Sequence, residues 1–344
     1  MNGSYRPPPI LALLVGGACA YLLFLGLRAT ADLLVPLLLT LMALAATTPH
    51  VRRLQQRGMP PRIAVIVVYA VIAGVAVGVL VVLAYTLGRM AHDLPSYQSG
   101  LDAQLQETGG DAAGISADSL IRFSRQILYS VVNIAGVLTF ALLAALLVLL
   151  DSPRIIAQIP ERIESDPMVN QGLEELSWAT AGFLAVSTRT GFITAAAVTV
   201  LLWLLGIDFA IALGLLTFVA NYIPSIGLVL AAIPALMIAW TQYGTGRALL
   251  VAVGFTVIGI VVSQLIKRTE MQRRLNLSAP ALLLSTFFWI FVLGPGGAFV
   301  AAPLTVLVRI ILEQSVQTRW LAALMSAPHG DSQPLSRAQR GSRP

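Results

Sequence analysis

The chain has 344 residues, 57% of them hydrophobic and 11% charged, with a mean hydropathy of +0.82; an ordinary soluble domain carries about 25% charge. A soluble enzyme fold needs a charged surface, and 22 basic plus 16 acidic residues over this length do not supply one, so the composition points to an all-α polytopic protein of the lipid bilayer. The net charge of +6 suits either nucleic acid or a membrane surface, but the arginines are dispersed between apolar runs rather than gathered with aromatics, which excludes a nucleic-acid partner.

In chain order, apolar runs at 10–27, 63–87 and 131–150 reach the roughly 18 to 20 residues that a helix needs to cross the hydrocarbon layer. Runs at 33–46 and 190–205 reach it when extended through Thr30 and Ala31, or through 183–187, and 248–266 is a sixth span. The first run is long, lacks a small-residue cleavage site and is followed at once by the second, so it is expected to be retained rather than cleaved as a signal peptide. Cytoplasmic loops are enriched in Lys and Arg. This places 47–62, with Arg52, Arg53, Arg57 and Arg62 and no acid, inside together with the amino terminus. Segment 88–130 carries Asp93, Asp102, Glu107, Asp111 and Asp118 and suits the outer face. Lys267, Arg268, Arg273 and Arg274 mark a second inner loop, and Arg319, Arg337, Arg340 and Arg343 a cytoplasmic, largely disordered tail.

Four shorter runs remain, at 209–220, 228–240, 281–293 and 298–312. At 1.5 Å per residue, 12 to 15 residues reach only about 18 to 23 Å, short of a core of roughly 30 Å. They form two pairs, joined by Asn221-Tyr-Ile-Pro224-Ser-Ile-Gly227 and by Gly294-Pro295-Gly296-Gly297. Flanking charges bring the first pair in from outside and the second from inside. Gly227 precedes Pro234, and Gly296 precedes Pro303, by the same interval, so the pairs read as a weak inverted repeat. Discontinuous helices in inverted repeats are how many secondary transporters expose backbone groups to a solute near the midplane. Two tilted full spans joined by a Pro-Gly turn are the competing reading.

The expected organisation is amino-terminal spans over 1–87, an amphipathic outer segment over 88–130, a span over 131–150, an inner helical segment over 151–189, a transport core over 190–312 and the tail over 313–344. In the outer segment Leu94, Leu101 and Leu105 share one helical face, and Leu120, Ile121, Ser124, Ile127 and Leu128 another, about a tip at 109–114. The helix starting at Pro167 runs through Glu174, Glu175 and Trp178 into the span near Phe183. Gly74 and Gly78 form a G-x-x-x-G pattern suited to helix packing, with a subunit interface as the alternative.

Catalytic chemistry is not written in this chain. H-E-x-x-H, G-x-S-x-G and G-x-x-x-x-G-K-[ST] do not occur, Cys19 stands alone, and His50, His92 and His329 are far apart, so no enzyme, metal or cofactor is expected. Asn221, Tyr222, Pro224, Ser225 and Gly227 offer donors, acceptors and unpaired backbone at the first break, and Gly294, Pro295, Gly296 and Gly297 do the same with backbone alone. Ser263 and Gln264 face either the same cavity or a neighbouring helix. Asp208 is the acid most available for ion coupling, although an N-cap is the more ordinary use of an aspartate at a boundary.

At these residues the chain resembles the autoinducer-2 exporter family of bacterial membrane proteins, a predicted permease family. The most specific likeness lies in 206–214 leading into 221–227 and Pro234, and in 294–297 leading into Ala302, Pro303 and Leu304; 49–62 and 150–153 add to it. The resemblance implies about eight spans, export of a small furanosyl signal, or in other members sodium or lithium exchange for protons, and a homo-oligomer, a pentamer among the forms. After Gln264 the family has an acid or amide and then a proline, where this chain has Lys267, Arg268, Glu270 and Met271. The expectation is therefore an inner-membrane, multi-pass secondary transporter that exports a small polar solute, with both termini cytoplasmic; the shortage of core acids favours a neutral solute over a cation antiporter.

Overall fold

The computed structural model describes residues 9–93, 97, 99–100, 102, 116–156, 167–224, 226–262 and 275–326, and among them every regular element is helical. Helices α1 (Pro9–Ala29) and α2 (Ala31–Gln56) meet at Thr30 with a 77° bend. Thr30 Oγ1 donates to Gly26 O at 2.8 Å, a back-bond of the kind that bends helices. The first two apolar runs therefore form one bent pair rather than two straight spans. Glycine closes α2: Gly58 has φ 88, its N–H reaches Gln55 O at 3.0 Å and Met59 N reaches Leu54 O at 3.3 Å. Pro61 then opens α3 (Pro61–Asp93), where a missing N–H costs nothing. Because α2 continues through Arg52 and Arg53, the basic loop expected over 47–62 is confined to 57–60.

Two long helices follow, α4 (Ala117–Ile156) and α5 (Pro167–Leu204). Ile121, Ser124 and Leu128 are buried on one face of α4, as their spacing predicts. Leu94, Leu101, Leu105 and the glycine-rich tip lie outside the described residues. As expected, α5 carries Glu174, Glu175 and Trp178 without interruption into the apolar stretch. Trp178 and Trp203 on α5 are each 73% exposed and stand about 37 Å apart along the helix, the separation of two interfacial aromatic belts.

The remaining chain forms α6 (Ala210–Ala220), α7 (Gly227–Val262), α8 (Ala279–Leu293), α9 (Gly297–Gln314) and the short α10 (Arg319–Met325). Gly244, with φ 77 and ψ −172, splits α7 into two helices, so the 228–240 run is the first arm of α7. Five described helices are long and apolar enough to cross a bilayer, six when the bent pair makes one crossing, and α6 and α8 are shorter. Eight full crossings are not found among the described residues. Run 298–312, expected to fall short, reaches span length within the 18 residues of α9. Burial separates α9 from the other long helices: it is the one enclosed on most sides, with Gly297 through Val306 buried without interruption. It packs on α8, α5 and α2, while α6 packs on α5, α7 and α3. Gly74 and Gly78 are exposed on α3 and a Cβ on either meets nothing within 4 Å, so the expected helix packing at this pattern is not made within the chain.

Candidate functional site: two helix breaks and their anchors

The first break, 221–226, lies against the middle of α5. Asn221 Nδ2 donates to Ser187 O and to Thr190 Oγ1, both at 2.9 Å, and the Tyr222 hydroxyl pairs with Thr188 Oγ1 at 2.6 Å. This approach is steric as well as polar. A Cβ at Gly191 would meet Asn221 Nδ2 at 3.2 Å and Phe218 O at 3.3 Å, and one at Gly214 would meet Thr199 Oγ1 at 1.8 Å. Gly227 opens α7 so tightly that a Cβ would lie 1.7 Å from Ala220 O. Pro224 is buried in the turn, and Ser187 Oγ is buried without a hydrogen-bond partner. Ser225, Ser263 and Gln264 lie outside the described residues.

The second break, 294–296, holds no polar side chain. Gly294 adopts φ 71 and ψ −165, nearly the geometry of Gly244 and one that glycine alone occupies cheaply. Gly297 N–H returns to Gly294 O at 2.9 Å. A Cβ at Gly297 would sit 2.1 Å from Trp289 O, and one at Gly296 would sit 2.6 Å from Val35 Cγ1 of α2. Pro234 and Pro303 are both buried inside the helices that leave the two breaks. Each lacks an N–H, so the carbonyls of Leu230 and Phe299 lose their ordinary helical partners at depth.

Polar groups also fasten the two ends of the assembly. At one end Asp208 Oδ2 accepts from Tyr97 OH at 3.0 Å and from Gln242 Nε2, while Asp208 N–H donates to Gln242 Oε1 at 3.3 Å. Tyr243 OH donates to Gly206 O at 2.9 Å, and Arg247 to Leu205 O at 3.0 Å. Asp208 is thus not a helix cap: Phe209, in the left-handed region at φ 59, occupies that position without a side-chain bond, because the carboxylate is turned onto Tyr97 and Gln242. Burial, then the bond to and negative charge of Asp208, push the Tyr97 phenol up to about 12.

At the opposite end Arg309 on α9 is 2% exposed. Its guanidinium pairs with Glu175 of α5 and, at 3.1 Å, with Glu313 one turn further along α9. Neither Arg309 nor Glu175 was singled out by sequence reasoning. The available signal was an arginine inside an apolar run with a glutamate four residues on. Gly191 and Thr190 escaped notice for another reason: their partners at 218–221 are distant in sequence.

A family model described as "AI-2E family transporter" matches residues 10–317. The chain belongs to that family. It is similar to the "AI-2 transport protein TqsA" of Escherichia coli (strain K12), 29% identical over 314 residues covering 88% of this chain and 91% of the relative. A "Putative transport protein" of Haemophilus influenzae is 25% identical over 331 residues, 91% of this chain and 95% of that one. "Putative transport protein YhhT" of Escherichia coli (strain K12) is 25% identical over 329 residues, 91% and 92% of the two chains. With its long apolar helices, this family member is a multi-pass membrane transport protein.

Proposed function

We propose that this transporter exports a small polar solute of the autoinducer-2 kind across the bacterial inner membrane, by alternating access between two opposed helical hairpins. One observation carries the reading: two apolar helix pairs each turn at a glycine and proline break, and both returning helices bury a proline that strips a carbonyl of its partner. The α6 and α7 arms begin and end near Asp208 and Gln242. The α8 and α9 arms begin and end near Ser278, whose N–H bonds Met325 O at 2.8 Å, and Glu313, which meets Arg309. Those two ends lie beyond Trp203 and Trp178 respectively along α5, in line with entry from opposite faces. The name of the Escherichia coli relative TqsA supports the choice of solute.

In this reading both termini are cytoplasmic and the protein is a homo-oligomer, a pentamer being the form its likeness implies. Cation exchange for protons is not carried forward. Asp208 is exposed at one end of the bundle rather than placed within the apolar interior, which does not suit an ion-coupling acid. Purified protein in proteoliposomes, loaded with autoinducer-2 under imposed proton or sodium gradients, tests the reading. Gradient-dependent efflux above empty liposomes is expected; equal efflux from both overturns it.

A further inference from the structure

The start of α8 borders a groove that neither break uses. A cavity of about 540 Å³ runs along it from Ser278 to Trp289, with Thr305 and Val308 of α9 and Leu321 and Leu324 of α10 as its other walls. At 1.5 Å per residue that stretch of helix is about 16 Å long, close to half of a hydrocarbon core of roughly 30 Å. The groove is thus as long as one leaflet is deep. At the Ser278 end α10 is tied in place, with Ser278 N–H donating to Met325 O at 2.8 Å and Arg319 Nε to Glu313 O at 3.4 Å.

The wall offers little to a polar solute. Ser278 Oγ accepts from Ala281 N–H at 3.4 Å, Ser285 Oγ donates to Leu282 O at 3.0 Å, and Trp289 Nε1 donates to Thr305 Oγ1 at 3.2 Å. The rest is hydrocarbon, including the exposed side chains of Leu284 and Phe288, and an acyl chain asks for no hydrogen-bond partner. Charge at the Ser278 end distinguishes one class of lipid. Arg319 is exposed on α10, and the sequence beyond it holds Arg337, Arg340 and Arg343 against a single acid, Asp331. Trp320 next to Arg319 is 60% exposed, the placement of an interfacial anchor.

We propose that this groove binds one acyl chain of an anionic phospholipid, whose headgroup phosphate is held by the arginines of α10 and of the segment after it. On the orientation proposed above, the lipid belongs to the inner leaflet. The far end of its chain lies against Trp289, and the carbonyl of that residue backs Gly297 so closely that a Cβ there would sit 2.1 Å away. A bound lipid therefore steadies the second break and leaves the first untouched.

Quenching by brominated lipid tests the assignment. With Trp178→Phe, Trp203→Phe, Trp240→Phe and Trp320→Phe, Trp289 is the remaining indole. This protein is reconstituted into phosphatidylcholine vesicles containing a minor fraction of either phosphatidylglycerol or phosphatidylcholine with the same dibrominated chains. The phosphatidylglycerol is expected to quench Trp289 as a ligand bound roughly fivefold more tightly, the preference that one arginine near an anionic headgroup supplies. Arg319→Gln together with Arg337→Gln, Arg340→Gln and Arg343→Gln should abolish that preference, and Ser285→Phe, which fills the groove, should lower quenching by both lipids. Native mass spectrometry of the wild-type chain, offered the two lipids in equal amounts, repeats the comparison with every tryptophan in place and should retain phosphatidylglycerol. Equal quenching by the two lipids would mean ordinary bilayer contact, and no quenching by either would mean that a second copy of the chain covers the groove; each overturns the proposal. Neither measurement reads flux, so failure of autoinducer-2 efflux in proteoliposomes counts against the transport reading alone.

Discussion

The two breaks are built from the same backbone device and differ in everything attached to it. At 221–226 the turn is held by side chains: Asn221 and Tyr222 hydrogen-bond to Ser187, Thr188 and Thr190 of α5. At 294–296 the turn has no polar side chain of its own: backbone closes it, Gly297 N–H to Gly294 O at 2.9 Å, with glycines pressed against Val35 and Trp289. Hydrogen bonds between hydroxyl and amide groups have direction and can be exchanged for bonds to a solute, whereas close-packed glycines respond only to volume. On the transport reading proposed above, the first break would supply the groups that choose a solute and the second would let helices approach and part.

Volume should therefore dominate at both breaks, and the largest effects are expected from the smallest additions. Gly227→Ala and Gly297→Ala each drive a methyl group into a backbone carbonyl that no rotamer change can move. We expect losses of about 3 kcal/mol or more in unfolding free energy, with flux abolished. Gly296→Ala meets a valine side chain instead, so about 1–2 kcal/mol is expected as Val35 shifts. Melting curves of detergent-purified variants rank the three, and equal losses at Gly296 and Gly297 would erase the distinction between backbone and side-chain contact.

Polarity should separate the breaks more selectively. Asn221→Ala removes donors to Ser187 O and Thr190 Oγ1 and is expected to cost about 1–2 kcal/mol, accompanied by a larger fall in flux than its stability loss explains. Thr190→Val keeps the volume and removes the Thr190 Oγ1 acceptor while leaving Ser187 O in place, so a smaller cost is expected. Tyr222→Phe frees Thr188 Oγ1, which still back-bonds to Leu184 O at 2.7 Å, and should change stability by less than about 1 kcal/mol while weakening solute affinity. A concentration series of flux for Tyr222→Phe distinguishes the two roles: a raised KM with unchanged maximal rate is expected, and a lowered maximal rate alone would make the hydroxyl part of the hinge.

Much of this architecture is legible in the chain because membrane depth imposes one rule on many residues at once: runs of apolar side chains mark helices, and Pro with Gly marks their interruptions. Positions 221–227 and 294–297 are readable for that reason, and so is the helix that continues from Pro167 past Trp178. Bends and pairings are less so. The break at Thr30, where the chain turns by 77° onto a new axis, looks in sequence like any threonine between two spans, and the left-handed glycine at Gly244 hides inside an apolar stretch. Arg309 and Glu175 sit 134 residues apart in the chain and meet only because α5 and α9 pack, and no local pattern encodes that. Asp208 shows a further limit. A boundary aspartate reads as a cap, and it takes Tyr97 and Gln242, brought from two other segments, to turn its carboxylate away from the helix.

The smallest effect belongs to that exposed end, which serves as the reference against which both breaks are judged. Asparagine at 208 keeps an oxygen for Tyr97 or Gln242 and loses the charge, so Asp208→Asn should retain most flux. Its signature lies in Tyr97. The phenol is raised to about 12 in the folded protein, by burial and then by Asp208, against about 10 in an unfolded chain. The folded state thus holds this proton more tightly, and the stability linked to it is complete below about pH 10 and lost as pH climbs through 12. Phenolate absorbance of wild type minus Tyr97→Phe should accordingly titrate late, and Asp208→Asn should move that titration back towards 10 while leaving the flux profile near neutral pH unaltered. A Tyr97 titration near 10 in the wild type would mean that the carboxylate does not hold the phenol in solution. Loss of flux in Asp208→Asn together with its pH dependence would move the coupling from the breaks to this end of the bundle.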